Sequence, residues 1–333
     1  MAEKEWNLAE ETVDRQDERP LHLRGPVRLK TGLVTGAATL ENEAVSTFKG
    51  MPFAKPPVGA LRWRAPEAPE PWSGVRDATS FAASCPQDAG GDIAMFGLPE
   101  EAPRSEDCLY LDVWTGARSA AERRPVMVWI CGGGFYIGAS SQPMYNGVCL
   151  AESGAVVVSV NYRVNVLGGF AHPALSAESG VGASGNYALM DQSAALRWVQ
   201  DNIAAFGGDP DNVTIFGESA GSRSVALHMI SPLSRGLFHR GICQSGGLRN
   251  VDGSLAAREA MGLEIAAKLG CDKAADPLAA LREKPWVELA NAVDFSSNPF
   301  VDGWVVPDDP QKMYEAGDVA SADMIVGVNA NEG

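Results

Sequence analysis

Short, nearly unbroken apolar runs recur along the chain at residues 125–130, 155–162, 212–217, 241–244 and 324–328. Runs of this length, bounded by glycine, proline or polar residues, fit strands buried on both faces, as in a parallel sheet. Between two of them the period changes to that of a helix. Leu189, Leu196, Val199, Ile203 and Phe206 fall on one stripe, and Gly207 and Gly208 follow as a stop. Strands alternating with helices predict βαβ units with right-handed crossovers, and so an α/β domain with helices on both faces of a mostly parallel sheet. Ahead of the first run, residues 27–49 alternate apolar and polar positions, which predicts an antiparallel ribbon. Residues 52–71 read as a proline-rich surface loop. Residues 254–320 read as helices and loops before the sheet resumes at Met324.

The two ends of the pattern differ. Residues 1–24 are charged and hold no apolar segment, so they are expected to form a solvated tail ahead of one domain at 25–333. With no secretory leader in that segment, a cytoplasmic location is expected. No apolar run is long enough to span a bilayer. Hydrophobic residues make up 45% of the 333 and charged residues 21%, which rules out a wholly disordered chain. The formal charge of −15 repels phosphate backbones and anionic lipid, so neither a nucleic-acid partner nor membrane docking is expected. The six cysteines form no CxxC pair and no cluster with histidine at zinc spacing. No metal is implied, and reduced, buried thiols are expected.

The chemistry concentrates at Gly217-Glu218-Ser219-Ala220-Gly221, which follows an apolar run and precedes a helical pattern. G-x-S-x-G between strand and helix is the form of a nucleophile elbow. The serine must stand proud of a sharp turn, and a Cβ on either flanking glycine would collide across it. The next helix would turn its N-terminus toward the reacting centre, where negative charge develops. A second glycine run, Cys131-Gly132-Gly133-Gly134-Phe135, follows the run at 125–130. Glycines there let backbone N–H groups approach a ligand, as an oxyanion hole requires, with Gly133 and Gly134 as donors joined by Ala220. Neither G-x-x-x-x-G-K-[ST] nor G-x-G-x-x-G is present, so a phosphate or dinucleotide loop is excluded and no cofactor is expected.

With these motifs the sequence resembles the type-B carboxylesterase family, serine esterases of α/β-hydrolase fold that include cholinesterases and bacterial carboxylesterases. The resemblance runs from about Val27 onward. It rests on Gly50-Met51-Pro52-Phe53-Ala54 with Leu61-Arg62-Trp63, on Glu106-Asp107-Cys108-Leu109-Tyr110-Leu111-Asp112-Val113, on Gly185-Asn186-Tyr187 with Asp191-Gln192, and on Phe206-Gly207-Gly208-Asp209-Pro210 leading into the elbow. It implies that Glu218 lines the active-site gorge and that Ser245 lies behind the nucleophile. It makes Glu332, in Asn329-Ala330-Asn331-Glu332-Gly333, the acid of a triad. It also implies ion pairs Arg62–Glu106 and Arg163–Asp191, and a disulfide between Cys85 and Cys108. Cys271 would be unpaired, because Ala280 stands where the family has its partner cysteine. Cys131 departs from the histidine that bacterial relatives often carry there, and altered packing under the glycine run is expected.

Attack by a serine needs a general base, and in this fold the order is serine, acid, histidine. No histidine follows Glu332. The four present are His22, His172, His228 and His239. His228 lies nine residues beyond Ser219 on the same helical pattern, roughly 13 Å at about 1.5 Å per residue, which is out of reach. A structural role is expected for all of them. The reading is therefore a carboxylic ester hydrolase acting on small-molecule esters through a serine acyl-enzyme. The chain itself is read as a fragment lacking the last strand and helix and, without the histidine, as inactive. The alternatives are a non-catalytic binding protein on this fold, and a lipase or amidase of the same superfamily.

Overall fold

The structure is a computed structural model. It describes residue 23 and residues 25–87, 103–247, 251, 253–292 and 297–332. His22 and most of the expected tail lie outside that set. The strands in chain order are β1 (Val27–Arg28), β2 (Leu33–Thr35), β3 (Ala37–Ala38), β4 (Ser46–Pro52), β5 (Val75–Asp77), β6 (Tyr110–Thr115), β7 (Arg124–Ile130), β8 (Val156–Val160), β9 (Gly208–Glu218), β10 (Arg240–Gln244) and β11 (Asp323–Gly327). Eight of them form one sheet in the order β11-β10-β9-β7-β8-β6-β4-β3. From β8 through β11 every pairing is parallel, whereas β8–β6, β6–β4 and β4–β3 are antiparallel. The sheet is thus mixed, parallel only in the half that carries the elbow. The expected ribbon over 27–49 divides between two sheets. β1 pairs β2 in a small sheet with β5, and β3 pairs β4 at the edge of the large one.

Alternation along the central strands sorts two apolar layers. Val156, Val158 and Val160 join the main core with Val128, Ile215, Leu196 and Val225. Val157 points the other way, into a small cluster with Trp114, Val148 and Ala151. The helices Tyr187–Asn202 and Ala220–Ile230 therefore cover one face, and Val148–Glu152 covers part of the other. The helix Tyr187–Asn202 carries the stripe read from the sequence, yet Asp191, Gln192 and Ser193 are buried as well. Gly207, at φ 78°, stops the short 3-10 turn Ile203–Phe206 that follows the helix. β9 begins at Gly208, earlier than its apolar run, because Gly208 pairs with Arg124 across a register shift. At the other end of the sheet, Ile325 and Val326 of β11 are 66% and 63% exposed.

Two ion pairs tie the excursion and the crossover to this frame. Arg163 Nε and Nη2 donate to Asp191 at 2.8 and 2.7 Å, both side chains fully inside. Arg62 clasps Glu106 through Nε and Nη2, and its Nη1 donates to the Lys284 carbonyl at 2.6 Å. Both pairs are those the resemblance implies. Because they are multidentate, losing one partner would leave a buried charge, which generally costs several kcal/mol.

Candidate active site

β9 delivers Ser219 to the start of the helix Ala220–Ile230 with φ 53° and ψ −117°. A non-glycine residue held there stores strain, on the order of 1–3 kcal/mol, and persists only if its surroundings dictate it. Those surroundings are visible. The Ser219 N–H donates to the Gln244 carbonyl at 2.9 Å, and its carbonyl accepts from the Arg223 N–H at 2.9 Å. A Cβ on Gly221 would sit 2.0 Å from the Ile130 carbonyl oxygen, and one on Gly217 would sit 2.5 Å from the Gly221 carbonyl carbon. The bend therefore closes only with glycine at both places, and it leaves Ser219 half-buried at a helix N-terminus.

The glycine run after β7 lies against this bend. A Cβ on Gly132 would be 2.8 Å from the Glu218 carbonyl oxygen and 3.3 Å from Ser219 Cβ. Gly133 and Gly134 follow at φ 101° and 64°. The Gly133 carbonyl accepts from the N–H groups of Tyr136 and Ile137 at 3.0 and 3.1 Å, which folds the run back on itself. Among the described residues the amides of Gly133, Gly134 and Ala220 donate to no protein acceptor. With Gly133 half-buried and Gly134 exposed, these donors are open to an acceptor from outside the protein.

The next two strands add a carboxylate. Ser245, at φ 55°, follows β10, and its N–H donates to the Gly327 carbonyl at 2.8 Å. Its hydroxyl donates to Glu332, whose same oxygen accepts from the Asn329 N–H at 2.6 Å. A Cβ on Gly246 would lie 2.5 Å from the Ser219 carbonyl oxygen, so this turn packs directly behind the elbow. Three adjacent parallel strands thus present their C-terminal ends to one place, the usual position of a site in such a sheet. Partial burial raises the Glu218 carboxyl above its ordinary value, and the charge of Glu332 adds to the effect. Two cavities, of about 270 and 400 Å³, lie elsewhere, and neither is lined by Ser219 or Glu332.

The carboxylesterase family pattern matches residues 25–333. The chain belongs to the carboxylesterase family. It is 43% identical over 293 residues to a fumonisin B1 esterase of Sphingopyxis macrogoltabida, covering 87% of this chain and 53% of that protein. It is 40% identical to the para-nitrobenzyl esterase of Bacillus subtilis, over 92% of this chain and 63% of the relative. With the acetylcholinesterase of Electrophorus electricus it shares 42% identity over 87% of this chain and 48% of the relative. A solved PNB esterase superposes with a TM-score of 0.82 at 36% identity, over 92% of this chain and 63% of that one. The fold of this carboxylesterase-family chain is accordingly the α/β-hydrolase fold. The chain spans between about half and two thirds of the length of these relatives.

Three of the four histidines fall in the described region, and none is near Ser219 by any contact. His228 is fully buried, with Nδ1 2.8 Å from Ser234 Oγ and Nε2 2.9 Å from Gln192 Oε1. Burial lowers its pKa to about 3, so it is a neutral strut. His172 caps the helix Pro173–Glu178 by accepting from the Ala174 N–H, and His239 Nδ1 accepts from the Val213 N–H at 3.1 Å. Cys85 and Cys108, between which the resemblance implies a disulfide, are both buried and stand as unjoined thiols in contact with each other. The contact with Cys85 and then burial raise the Cys108 thiol well above its ordinary pKa. Cys271 is also free and buried. Cys131 is buried beneath the glycine run, where its sulfur would meet a Cβ on Gly138 at 2.9 Å, and Tyr162 donates to its carbonyl at 2.8 Å. The positive φ of Ser245 and the role of Asn329 as a second donor to Glu332 were not legible beforehand, because serine rarely adopts a positive φ and a backbone N–H donor leaves no mark on residue type.

Proposed function

We propose that this chain carries the acyl-transfer centre of a carboxylic ester hydrolase, with Ser219 as nucleophile. Ser219 Oγ attacks the ester carbonyl carbon, and the carbonyl oxygen becomes an oxyanion held by the N–H groups of Gly133, Gly134 and Ala220. An imidazole takes the serine proton and returns it to the departing alkoxide, which leaves as alcohol and gives acyl-Ser219. Water, deprotonated by the same imidazole, then releases the carboxylic acid. Glu332, steadied by Ser245 and the Asn329 N–H, is the group that would orient that imidazole. Glu218 lies beside the oxyanion loop and shapes the substrate's approach.

The observation that carries this reading is the strained Ser219 backbone beside three backbone donors that no described protein group uses. A protein that only bound esters would have no need to hold that strain. Because no described histidine reaches Ser219, the chain by itself is expected to turn over about a millionfold more slowly than a complete triad. The test is p-nitrophenyl acetate hydrolysis by the chain alone and with imidazole supplied in solution, each against Ser219→Ala. The expected result is near-background release alone and imidazole-dependent release that Ser219→Ala abolishes. Equal release from both proteins at every imidazole concentration would defeat the proposal.

A further inference from the structure

The loop that carries Gly133 and Gly134 has little means of holding its own shape. Four of its seven residues over 132–138 are glycine, the residue that gives up most conformational freedom when fixed. Among the described residues its internal ties are the two bonds to the Gly133 carbonyl. Donors aimed at a developing oxyanion work only when they are held in place beforehand. The hold on this loop therefore has to come from outside it.

Three residues supply it. Tyr162 Oη donates to the Cys131 carbonyl at 2.8 Å, where the loop starts, and the Asn165 N–H donates to the Phe135 carbonyl at 2.7 Å, in its middle. At its end, Gln87 takes both backbone groups of one residue. Gln87 Oε1 accepts from the Gly138 N–H at 2.8 Å, and Gln87 Nε2 donates to the Gly138 carbonyl at 3.0 Å. Nε2 also donates to the Cys85 carbonyl at 2.9 Å, so both its hydrogens are spent and one orientation of the amide satisfies all three bonds. Gln87 is 3% exposed. Its own segment is anchored where the chain leaves β8. Asn165 Nδ2 donates to the Pro86 carbonyl at 2.6 Å, and the Val164 N–H donates to Cys85 Sγ at 3.4 Å. Gly138 in turn backs onto the start of the loop. It sits at φ 131°, and a Cβ on it would lie 2.8 Å from the Gly132 carbonyl oxygen. Fixing Gly138 thus fixes the closure of the loop on which Gly133 and Gly134 stand.

We propose that Gln87 is a positioning residue for ester cleavage, whose amide clamps Gly138 and so holds the Gly133 and Gly134 N–H groups where the oxyanion forms. The role in cleavage rests on the ester-hydrolase reading, whereas the clamp itself does not. Gln87→Met keeps the length of the side chain and removes all three bonds. In the full chain, hydrogen exchange read by mass spectrometry should be at least about tenfold faster over 131–138 in Gln87→Met, since local opening sets that rate, with β9 unchanged. In imidazole-assisted p-nitrophenyl acetate hydrolysis the Ser219-dependent kcat should fall about tenfold while KM holds, because loosened donors fail only the transition state. The control is Gln200, whose Nε2 donates to the Pro210 and Leu237 carbonyls at 2.9 and 3.0 Å, near the end of β9 away from Ser219. Gln200→Met should lower the melting temperature and leave both the loop's exchange and kcat unchanged. Unchanged loop exchange in Gln87→Met would overturn the clamp, and faster exchange with an unchanged kcat would overturn its part in cleavage. An equal loss of kcat in Gln200→Met would also overturn it, by reducing the effect to general destabilisation. Faster loop exchange beside a parent chain with no Ser219-dependent release would defeat the ester-hydrolase reading, and the positioning role with it, while the clamp stood.

Discussion

Gly132 lies outside the left-handed region, so alanine there meets no positive-φ strain and is opposed by its neighbours. Its Cβ would meet the Glu218 carbonyl oxygen at 2.8 Å, a Glu218 carboxylate oxygen at 3.0 Å and Ser219 Cβ at 3.3 Å. The carboxylate can swing away, but the carbonyl and the serine Cβ belong to the bend itself. Relaxing the first contact from 2.8 Å to an ordinary 3.4 Å opens the gap between loop and elbow by the difference, 0.6 Å. Oxyanion donors work within a few tenths of an ångström, and a 1 Å misplacement costs about a hundredfold. Gly132→Ala should therefore lower the serine-dependent, imidazole-assisted rate about 10- to 30-fold. The oxyanion exists only in the transition state, so kcat should fall while KM holds. Overpacking of this kind costs about 1–3 kcal/mol, and the melting temperature should drop by only a few degrees. A folded Gly132→Ala protein within threefold of the parent rate would refute the idea that the loop must touch the elbow.

Buried titrating groups give further predictions. Burial pushes the Asp112 carboxyl from 3.8 up to about 6, although it accepts from the Gly50 N–H at 2.9 Å. Its folded form therefore holds a proton more tightly than the unfolded chain does. The ionisation penalty is absent below about pH 4, builds as pH rises through 6 and then stays, at about 3 kcal/mol for a shift of roughly 2 units. Asp112→Asn should accordingly stabilise the protein at pH 7.5 by about 1–3 kcal/mol and have little effect at pH 4, read from urea denaturation at both values. His228 works in the opposite sense. With a folded pKa near 3 it stays neutral while the unfolded chain gains a proton below pH 6.5, so its contribution falls by about 1.4 kcal/mol per pH unit on acidification. His228→Gln should flatten that part of the stability profile and leave the pH dependence of ester cleavage unchanged. Ser245→Ala removes one donor to Glu332 and should lower the serine-dependent rate severalfold while leaving the melting temperature within a few degrees.

Much of the centre was legible because its constraints are local. The bend needs glycine on both sides of Ser219, and the loop that packs against it is a glycine run after a strand, so both appear as short words in the sequence. β8 was legible because a strand buried on both faces is almost wholly apolar, and β7 and β10 because their middles are apolar even though their burial alternates. β6 was not, since its Tyr110–Thr115 pattern interleaves Asp112 with apolar residues, and only tertiary contacts, with Gly50, Ser140 and Lys49, explain a carboxylate there. The split of residues 27–49 between two sheets was likewise hidden, because alternation fixes a strand's faces but not its partner. Asp191 and Gln192 broke the helical stripe for the same kind of reason. Each is buried to hold a distant group, Arg163 in one case and His228 in the other. The disulfide at Cys85 and Cys108 came from the resemblance alone, and nothing in the local sequence tests whether two neighbouring thiols are joined.

The central claim is that Ser219 faces three waiting amides. A crystal structure of the chain after phosphonylation by a p-nitrophenyl alkylphosphonate, with imidazole present, tests it directly. The account predicts phosphorus bonded to Ser219 Oγ and the phosphoryl oxygen about 2.7–3.1 Å from the nitrogens of Gly133, Gly134 and Ala220. An adduct on Ser219 whose phosphoryl oxygen points to solvent, away from those nitrogens, would contradict it.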